Sequence, residues 1–266
     1  MYSSHIRRSA VSMLDTGLSQ AEVSRSLGIS CATLRSWSRN RSLIEKYRDN
    51  GECPRCEPIP RPPTDLRAYG HLLGLYLGDG TISPTGDGTR GVWRLRVSRT
   101  DMWPGLMDEC AVSMGMVLPG HSIGRAQRTG CTEVYSDWKH WPCLFPQHGP
   151  GKKHERTITL EPWQREIVRV HPEEFVKGLI HSDGWRGINR VRRLTPEGWR
   201  YHEYPRYEFV NASRDIVDLF TDALDLLEIP WRVRVQRRPP HRDKISVSVA
   251  RRDAVARLDT FVGPKS

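Results

Sequence analysis

The spacing of apolar positions divides the chain into a short helical segment and a longer mixed segment. In residues 5–40, apolar side chains recur three and four positions apart, which is typical of amphipathic helices. From residue 66 onward, stretches with helical spacing alternate with stretches in which every second residue is apolar, which is typical of half-buried strands. The pattern predicts a small all-α unit followed by an α+β unit.

Three short helices are predicted in the first segment. The first ends at Gly17, the second covers residues 20–27 and the third covers residues 31–40. Ser19 and Glu22 have the spacing of a capping box at the start of the second helix. This is the pattern of a helix-turn-helix, whose last helix enters the DNA major groove. The positions expected to face DNA are Ser30, Thr33, Arg35, Ser36 and Arg39.

Leu34 and Trp37 are expected in the core of this helical unit. The segment resembles the small homeodomain-like modules of bacterial transposases and regulators, and that resemblance implies DNA binding. A helical module that binds another protein is the alternative.

Two nine-residue stretches in the longer segment share one pattern. LLGLYLGDG occupies residues 72–80, and VKGLIHSDG occupies residues 176–184. Each has small residues four positions apart, so the backbone of another helix can approach closely. Each ends in an acid and a glycine, and we expect that glycine to end the helix in the left-handed conformation. Packing of the two helices through their small residues would place Asp79 and Asp183 side by side.

Asp79 and Asp183 are candidate metal ligands. A helix C-terminus carries partial negative charge, so a carboxylate there is disfavoured unless a cation binds. Two adjacent carboxylates with one or two divalent cations can hold a phosphodiester and polarise water. An ordinary buried helix with a glycine cap explains one stretch alone, but it does not explain two copies in one chain.

Both stretches resemble the paired motifs of LAGLIDADG homing endonucleases. The third-position glycine, the fourth-position leucine, the small seventh residue and the acidic eighth are kept in both copies. They are Gly74, Leu75, Gly78 and Asp79 in the first copy and Gly178, Leu179, Ser182 and Asp183 in the second. The departures are Lys177 at the second position and Leu77 and His181 at the sixth. We interpret His181 as structural or gating. It lies two residues before Asp183, and side chains two positions apart on a helix point to different faces.

The elements that follow each motif repeat in the same order. Each half is predicted as helix, two strands, helix, two strands, helix, and residues 97–100 match residues 210–213. The resemblance implies a duplicated αββαββα fold, in which two four-stranded antiparallel sheets form a saddle over DNA. We expect a polar turn at 83–91, a helix capped by Thr100 and another capped by Ser213. The expected strands are 92–99, 121–128 and 132–138 in the first half and 188–194, 204–211, 231–237 and 244–250 in the second.

Basic residues alternate with apolar ones along several of these strands. Arg232 and Arg234 alternate with Val233 and Val235, which predicts one face for the DNA groove and one for the core. A solvated sheet edge would give the same alternation. The sheet residues assigned to DNA are Arg94, Arg96, Ser98, Arg99, Arg125, Asn211, Arg232 and Arg234.

Lysines follow both sheets in similar contexts. Lys152 and Lys153 come after Gly-Pro-Gly in the first half, and Lys265 comes after Gly-Pro in the second. A lysine near the scissile phosphate stabilises the charge that develops there. The resemblance implies such a lysine in each half, together with a polar residue at the strand end, either Ser98 or Arg99 in the first half and Asn211 in the second. Surface lysines that contact phosphate alone are the alternative.

Composition narrows the class of partner. The 266 residues carry a net charge of +10 with a pI near 9.6, which favours a polyanion such as nucleic acid. No apolar run approaches the roughly 18 residues of a membrane span, and the N-terminus lacks the apolar stretch of a secretory signal. We expect a cytoplasmic protein that associates with the nucleoid when bound to DNA and does not bind membranes.

Cysteine spacing gives a weaker signal. Six cysteines in a chain of this size are not a disulfide scaffold. Cys53 and Cys56 have metal-ligand spacing, but no second pair of this kind follows, so two free linker thiols are favoured over zinc.

We expect four segments. They are a helix-turn-helix domain at 1–48, a linker at 49–65 that is rich in proline, a first repeat at 66–160 and a second repeat at 161–266.

The resemblance implies a monomeric, pseudo-two-fold endonuclease that cleaves both strands of double-stranded DNA. Mg2+ is the expected cofactor, with Mn2+ able to replace it. The expected metal ligands are Asp79, Asp183, Gly78 and Ser182, and the expected charge-stabilising residues are Lys152, Lys153 and Lys265. The alternative is a sequence-specific transcriptional regulator on the same fold with weak or no nuclease activity.

Overall fold

A computed structural model describes residues 4–39, 63–86, 91–196, 198–239, 241–263 and 265. The chain forms two compact units, Met1–Arg61 and Pro62–Ser266. Residues 49–62 of the expected linker, which include Cys53 and Cys56, lie outside the described residues. No helix in the described ranges is long and apolar enough to cross a membrane.

The first unit contains the three predicted helices, α1 (Ser4–Asp15), α2 (Gln20–Leu27) and α3 (Cys31–Arg39). The capping box before α2 is present, because the Ser19 amide donates to Glu22 Oε2 at 2.8 Å and the Glu22 amide donates to Ser19 Oγ at 3.3 Å. Gly28 ends α2 in the left-handed conformation. The predicted core position Leu34 is fully buried, and Trp37 packs against this core.

The second unit contains two successive sets of helices and strands. The first set is α4 (Leu66–Asp79), β1 (Gly80–Pro84), β2 (Trp93–Thr100), α5 (Pro104–Val117), β3 (Gly124–Arg128), β4 (Cys131–Trp138) and α6 (Trp141–Leu144), followed by a 3-10 turn (Lys153–Glu155). The second set is α7 (Pro162–Val170), α8 (Pro172–Asp183), β5 (Gly184–Thr195), β6 (Gly198–Asn211), α9 (Arg214–Leu226), β7 (Arg232–Arg238), β8 (His241–Val249) and α10 (Arg252–Asp259).

The strands form two antiparallel four-stranded sheets, as predicted. Their orders are β1-β2-β4-β3 and β5-β6-β8-β7, so both halves have the same topology. Helix α4 packs against α8, α5 and β2. Its positions 68–77 are all buried, so this helix is the centre of the core.

The structure differs from the local predictions at three places. The polar turn expected at 83–91 begins inside β1, which pairs with β2 from Gly80 onward. Helix α5 begins at Pro104 with Trp103 as its N-cap, whereas Thr100 is the last residue of β2. Helix α7 was not predicted, although Pro162 and the Glu161–Gln164 capping box mark its start.

The motif helices α4 and α8 touch through their glycines, which confirms the predicted close approach. A Cβ at Gly178 would lie 2.2 Å from the His71 carbonyl oxygen and 3.0 Å from Gly74 Cα. A Cβ at Gly74 would lie 2.5 Å from the Phe175 carbonyl oxygen. Any side chain at either position would therefore separate the two helices.

The predicted left-handed caps after the motifs are absent. Gly80 (φ −82°) and Gly184 (φ −103°) are extended, because each is the first residue of a strand. Glycine is needed there for space. A Cβ would lie 2.5 Å from Tyr76 Cα in the first copy and 2.8 Å from Ile180 Cα in the second.

The valines of β7 lie on the core side of the sheet, as predicted, but they are not buried. Val233 and Val235 are 46% and 49% exposed. They pair in register with the buried Val247 and Ile245 of β8, so they lie on the core side of the sheet. Because β7 is the edge strand, this side of it extends beyond the packed core.

Sheet pairing corrects the alignment of the two halves. Gly80 pairs with Val97, and its counterpart Gly184 pairs with Phe209. Val97 is therefore equivalent to Phe209 and not to Val210, as the sequence match suggested. Two residues further on, Arg99 occupies the position of Asn211.

Substitution of the contact glycines should destabilise the fold. Gly74→Ala and Gly178→Ala force the helix backbones apart, and we expect each to cost about 1–3 kcal/mol or more in urea unfolding. Gly70→Ala is the matched control on α4, since its Cβ would lie 3.6 Å from Glu174 Cβ, an ordinary contact. Alanine should stabilise that helix position by about 0.5–1 kcal/mol. Equal effects at positions 70, 74 and 178 would contradict the close-contact account.

Candidate active site

The two motif acids lie at abutting helix ends. Asp79 is the last residue of α4, and Asp183 is the last residue of α8. A Cβ at Gly78 would lie 2.3 Å from Ser182 Cβ and 3.1 Å from Asp183 Oδ2. Burial, together with the charge of Asp79, raises the pKa of Asp183 to about 6. The fold therefore holds two carboxylates close together in partly desolvated surroundings.

Each acid is bound by the equivalent residue of its own sheet. Arg99 Nη1 donates to Asp79 Oδ2 at 2.7 Å and to the His181 carbonyl at 2.8 Å. Asn211 Nδ2 donates to Asp183 Oδ2 at 2.7 Å. The first acid thus has a cationic partner and the second a neutral one. The Arg99 side chain is 4% exposed, so it lies beneath the sheet surface where we had expected it to face DNA.

A partly buried lysine lies beside each motif end. Lys153 Nζ donates to the carbonyls of Tyr76 and Gly78 at 2.5 and 2.9 Å, and Lys265 Nζ donates to the Gly184 carbonyl at 2.5 Å. Burial lowers the pKa of both lysines to about 8, although the two acids oppose the shift. The structure thus distinguishes Lys153 from the exposed Lys152.

A cavity of about 470 Å3 is lined by both motif acids and by the two lysines of the first half. Arg156 lines it, and Arg156 Nε and Nη1 are buried without a hydrogen-bond partner among the described residues. Sequence reasoning missed Arg156 because it lies outside both motifs. Other polar residues that line the cavity are Asp79, Asp183, Asn211, Lys152, Lys153 and His154.

The carboxylates fit a hard divalent cation. Oxygen ligands suit Mg2+ and Mn2+, and a cation would offset the burial and the repulsion by Asp79 that together raise the pKa of Asp183. The other two expected metal ligands, Gly78 and Ser182, already make hydrogen bonds within the protein. The Gly78 carbonyl accepts from Lys153, and Ser182 Oγ donates to the carbonyls of Gly178 and Leu179.

His181 points away from this cavity into the protein. It is 1% exposed, and its Nε2 lies 2.9 Å from the Val262 carbonyl, to which it donates. This contact is compatible with the structural role that we had assigned to it.

The sheet residues expected to contact DNA differ in their exposure and in whether they have polar partners within the protein. Arg232 and Arg234 are exposed, and Ser98 is half-buried. Three others have polar partners: Arg94 with Asp137 at 2.6 Å, Arg96 with Ser83 at 3.1 Å, and Arg125 with Asp108 at 2.5 Å.

In the first unit, Arg35, Ser36 and Arg39 are exposed on α3. Arg35 Nε donates to Gln20 Oε1 at 3.1 Å, and Ser30 Oγ lies 2.8 Å from Thr33 Oγ1.

The different partners of the two acids predict opposite stability effects in metal-free protein. At pH 8, Asp183→Asn removes a desolvated charge and should stabilise the fold by roughly 2–3 kcal/mol. Asp79→Asn leaves the buried Arg99 without its counter-charge and should destabilise by about 2 kcal/mol or more.

Chemical denaturation in EDTA at several pH values measures both effects. The folded-state pKa of Asp183 is about 6, above the usual aspartate value of 3.8. The wild type should therefore lose stability as the pH rises from about 4 to about 6, and the benefit of Asp183→Asn should vanish below about pH 4. Stabilisation that does not depend on pH would contradict this origin.

Comparison with protein-family models and with curated proteins finds no match for this chain. Comparison with solved structures finds many. Mesophilic variants of the homing endonuclease I-DmoI align at 15% identity over 75% of this chain and 92% of theirs, with a TM-score of 0.51. An I-DmoI variant in complex with its target DNA in the presence of Mg aligns at 15% identity over 75% of this chain and 97% of that one, with a TM-score of 0.51. The N-terminal LAGLIDADG domain of WhiA aligns at 10% identity over 76% and 83%, with a TM-score of 0.41.

The aligned part corresponds to about three quarters of the chain. In this chain that fold consists of two equivalent antiparallel sheets joined through abutting motif helices. This chain has the fold of the LAGLIDADG homing endonucleases.

Proposed function

We propose that this protein is a Mg2+-dependent endonuclease that cleaves double-stranded DNA at a specific site. The observation that carries the proposal is the pair of carboxylates at abutting helix ends, with a partly buried lysine beside each. An I-DmoI variant of the same fold has been crystallised with its target DNA in the presence of Mg, which supports DNA as the substrate class.

Asp79 and Asp183 would hold the cation, which supplies Lewis-acid polarisation of the scissile phosphate and of water. The protein's own groups then have separate tasks. Asn211 fixes one oxygen of Asp183, so the other oxygen keeps its orientation. Lys153 and Lys265 place positive charge where negative charge develops on the phosphate. Because their pKa values are near 8, either Nζ can also exchange a proton with a nearby water at that pH.

The proposal includes a monomer with internal pseudo-two-fold symmetry. One chain contains both motif helices and both sheets, so a duplex can be contacted on both sides of the scissile phosphates. Exposed Arg232 and Arg234 would contact the duplex through the sheet face. The N-terminal unit would bind flanking sequence through α3 and raise the local concentration of DNA at the sheets.

A second candidate function is sequence-specific DNA binding without efficient cleavage. The observation that favours it is the Arg99 guanidinium, which lies against Asp79 where a cation is needed. Similarly, Lys153 Nζ donates a hydrogen bond to the carbonyl of Gly78, which is one of the expected metal ligands. A transcriptional regulator could retain the fold for binding while these contacts compete with the metal.

Selection from a pool of randomised duplexes distinguishes the two functions. The full chain is incubated with the pool in Mg2+, and bound and cleaved molecules are sequenced separately. The endonuclease proposal predicts that one sequence is enriched in both fractions and that EDTA removes only the cleaved fraction. Enrichment of bound molecules without cleavage, in Mg2+ and in Mn2+, would contradict that proposal and support the regulator.

Adjacent lysines provide a matched control on the selected duplex. Lys153→Met removes the buried ammonium beside Asp79 and should slow single-turnover cleavage by about 100-fold with little change in affinity. Lys152→Met removes an exposed charge of the same kind and should leave the rate nearly unchanged. Equal losses in rate would show that both lysines act only as phosphate contacts.

A further inference from the structure

A cluster of potential metal ligands, two of them buried histidines, lies between the helices α4, α5 and α8, apart from the two motif acids. It consists of His71 on α4, Glu109 on α5 and His181 on α8. One nitrogen or oxygen of each residue lies within 4.8 Å of the other two. His181 Nδ1 is 3.4 Å and His71 Nε2 is 4.0 Å from Glu109 Oε2.

Both imidazoles direct an unpartnered nitrogen toward this centre. His181 Nε2 donates to the Val262 carbonyl at 2.9 Å, which leaves the lone pair on Nδ1. His71 Nδ1 bonds Ser113 Oγ at 2.8 Å, which leaves Nε2. Neither nitrogen has a hydrogen-bond partner in the described part of the chain, although the two histidines are only 1% and 5% exposed. A second hydrogen bond that orients the ring is the usual arrangement of a metal-binding histidine.

The dimensions of the cluster fit a small tetrahedral ion. Zinc bonds to nitrogen and oxygen are about 2.0–2.2 Å, so neighbouring ligand atoms are separated by about 3.3–3.5 Å. The His181–Glu109 distance of 3.4 Å already has this value. His71 would have to move by less than about 1.5 Å to complete the set. Burial lowers the pKa of both histidines, which favours the neutral form of imidazole that a metal binds.

Lys177 is the competing cation. Its Nζ lies 3.0 Å from Glu109 Oε2, and its side chain is 23% exposed, so it can move toward solvent. Lys177 and His181 are both departures from the motif pattern, and both contact Glu109. The two unusual motif residues therefore belong to one local arrangement. Arg99 also contributes positive charge near His71, which opposes the binding of a cation.

We propose that His71, Glu109 and His181 form a zinc site with one position open to water or another small ligand. The bound ion would link α4, α5 and α8, and thus fasten the motif-helix pair to the first sheet's helix. The site is chemically distinct from the Asp79–Asp183 pair, which has only oxygen ligands and suits Mg2+.

Cobalt titration of the full, tag-free chain tests the site, because tetrahedral Co2+ has strong visible absorption and octahedral Co2+ does not. Excess Mg2+ is present to fill the carboxylate pair. A Cys53→Ser, Cys56→Ser background removes the other zinc-like spacing in the sequence. We expect one tetrahedral Co2+ per chain, displaced by Zn2+, and a melting temperature that rises with the Zn2+ concentration.

Substitutions at the three ligands should abolish both signals. Glu109→Gln keeps a side chain of similar size, and Glu109 is partly exposed, so this variant is the primary test. His71→Gln is the second variant, with circular dichroism to confirm folding. His121→Gln, at an exposed histidine, is the matched control and should bind Co2+ like the wild type. Lys177→Met removes the competing cation and should tighten Co2+ binding by about tenfold or more.

Two outcomes would overturn the proposal. One is the absence of tetrahedral absorption in the folded chain and in Lys177→Met. The other is absorption that persists in both Glu109→Gln and His71→Gln, because the metal would then be bound elsewhere. Neither outcome bears on DNA cleavage, so failure here is separate from failure of the proposed nuclease.

Discussion

The structure depends on the direct contact between the backbones of α4 and α8. Gly74 and Gly178 lie so close together that a Cβ at Gly178 would be 3.0 Å from Gly74 Cα. This contact joins the two halves into one core. It also places Asp79 and Asp183 together, because the same two helices end in these acids. The packing of the core and the placement of the two acids therefore depend on the same two stretches, and a change that separates the helices would disturb both.

The candidate site holds several charged groups in surroundings that disfavour their charged forms. Two carboxylates are held near each other, and desolvation raises the pKa of Asp183 to about 6 while it lowers the pKa values of Lys153 and Lys265 to about 8. Such an arrangement costs folding free energy and is typical of functional sites. The halves are not equivalent, since Arg99 neutralises one acid and Asn211 only orients the other. The two ends of the site therefore differ in local charge.

Sequence pattern predicted the sheets, the helical N-terminal unit and the motif-helix contact, because periodicity and small-residue spacing are local signals. It failed where the outcome depends on pairing or burial. The conformation of Gly80 follows from its pairing with Val97, and the exposure of Val233 follows from its edge position. The role of Arg99 needed the strand register, since the sequence match between the halves was shifted by one residue. The Glu109 cluster joins three helices that are distant in sequence, so no motif marks it.

A cleavage assay on one selected duplex tests the central claim most directly. It compares the wild type with the two single-acid variants. The claim is that the helix contact assembles Asp79 and Asp183 into one metal-dependent centre. It predicts double-strand cleavage by the wild type in Mg2+, none in EDTA, and loss of double-strand cleavage in both Asp79→Asn and Asp183→Asn with binding retained. Full double-strand cleavage by either variant would show that the paired acids are not the catalytic centre.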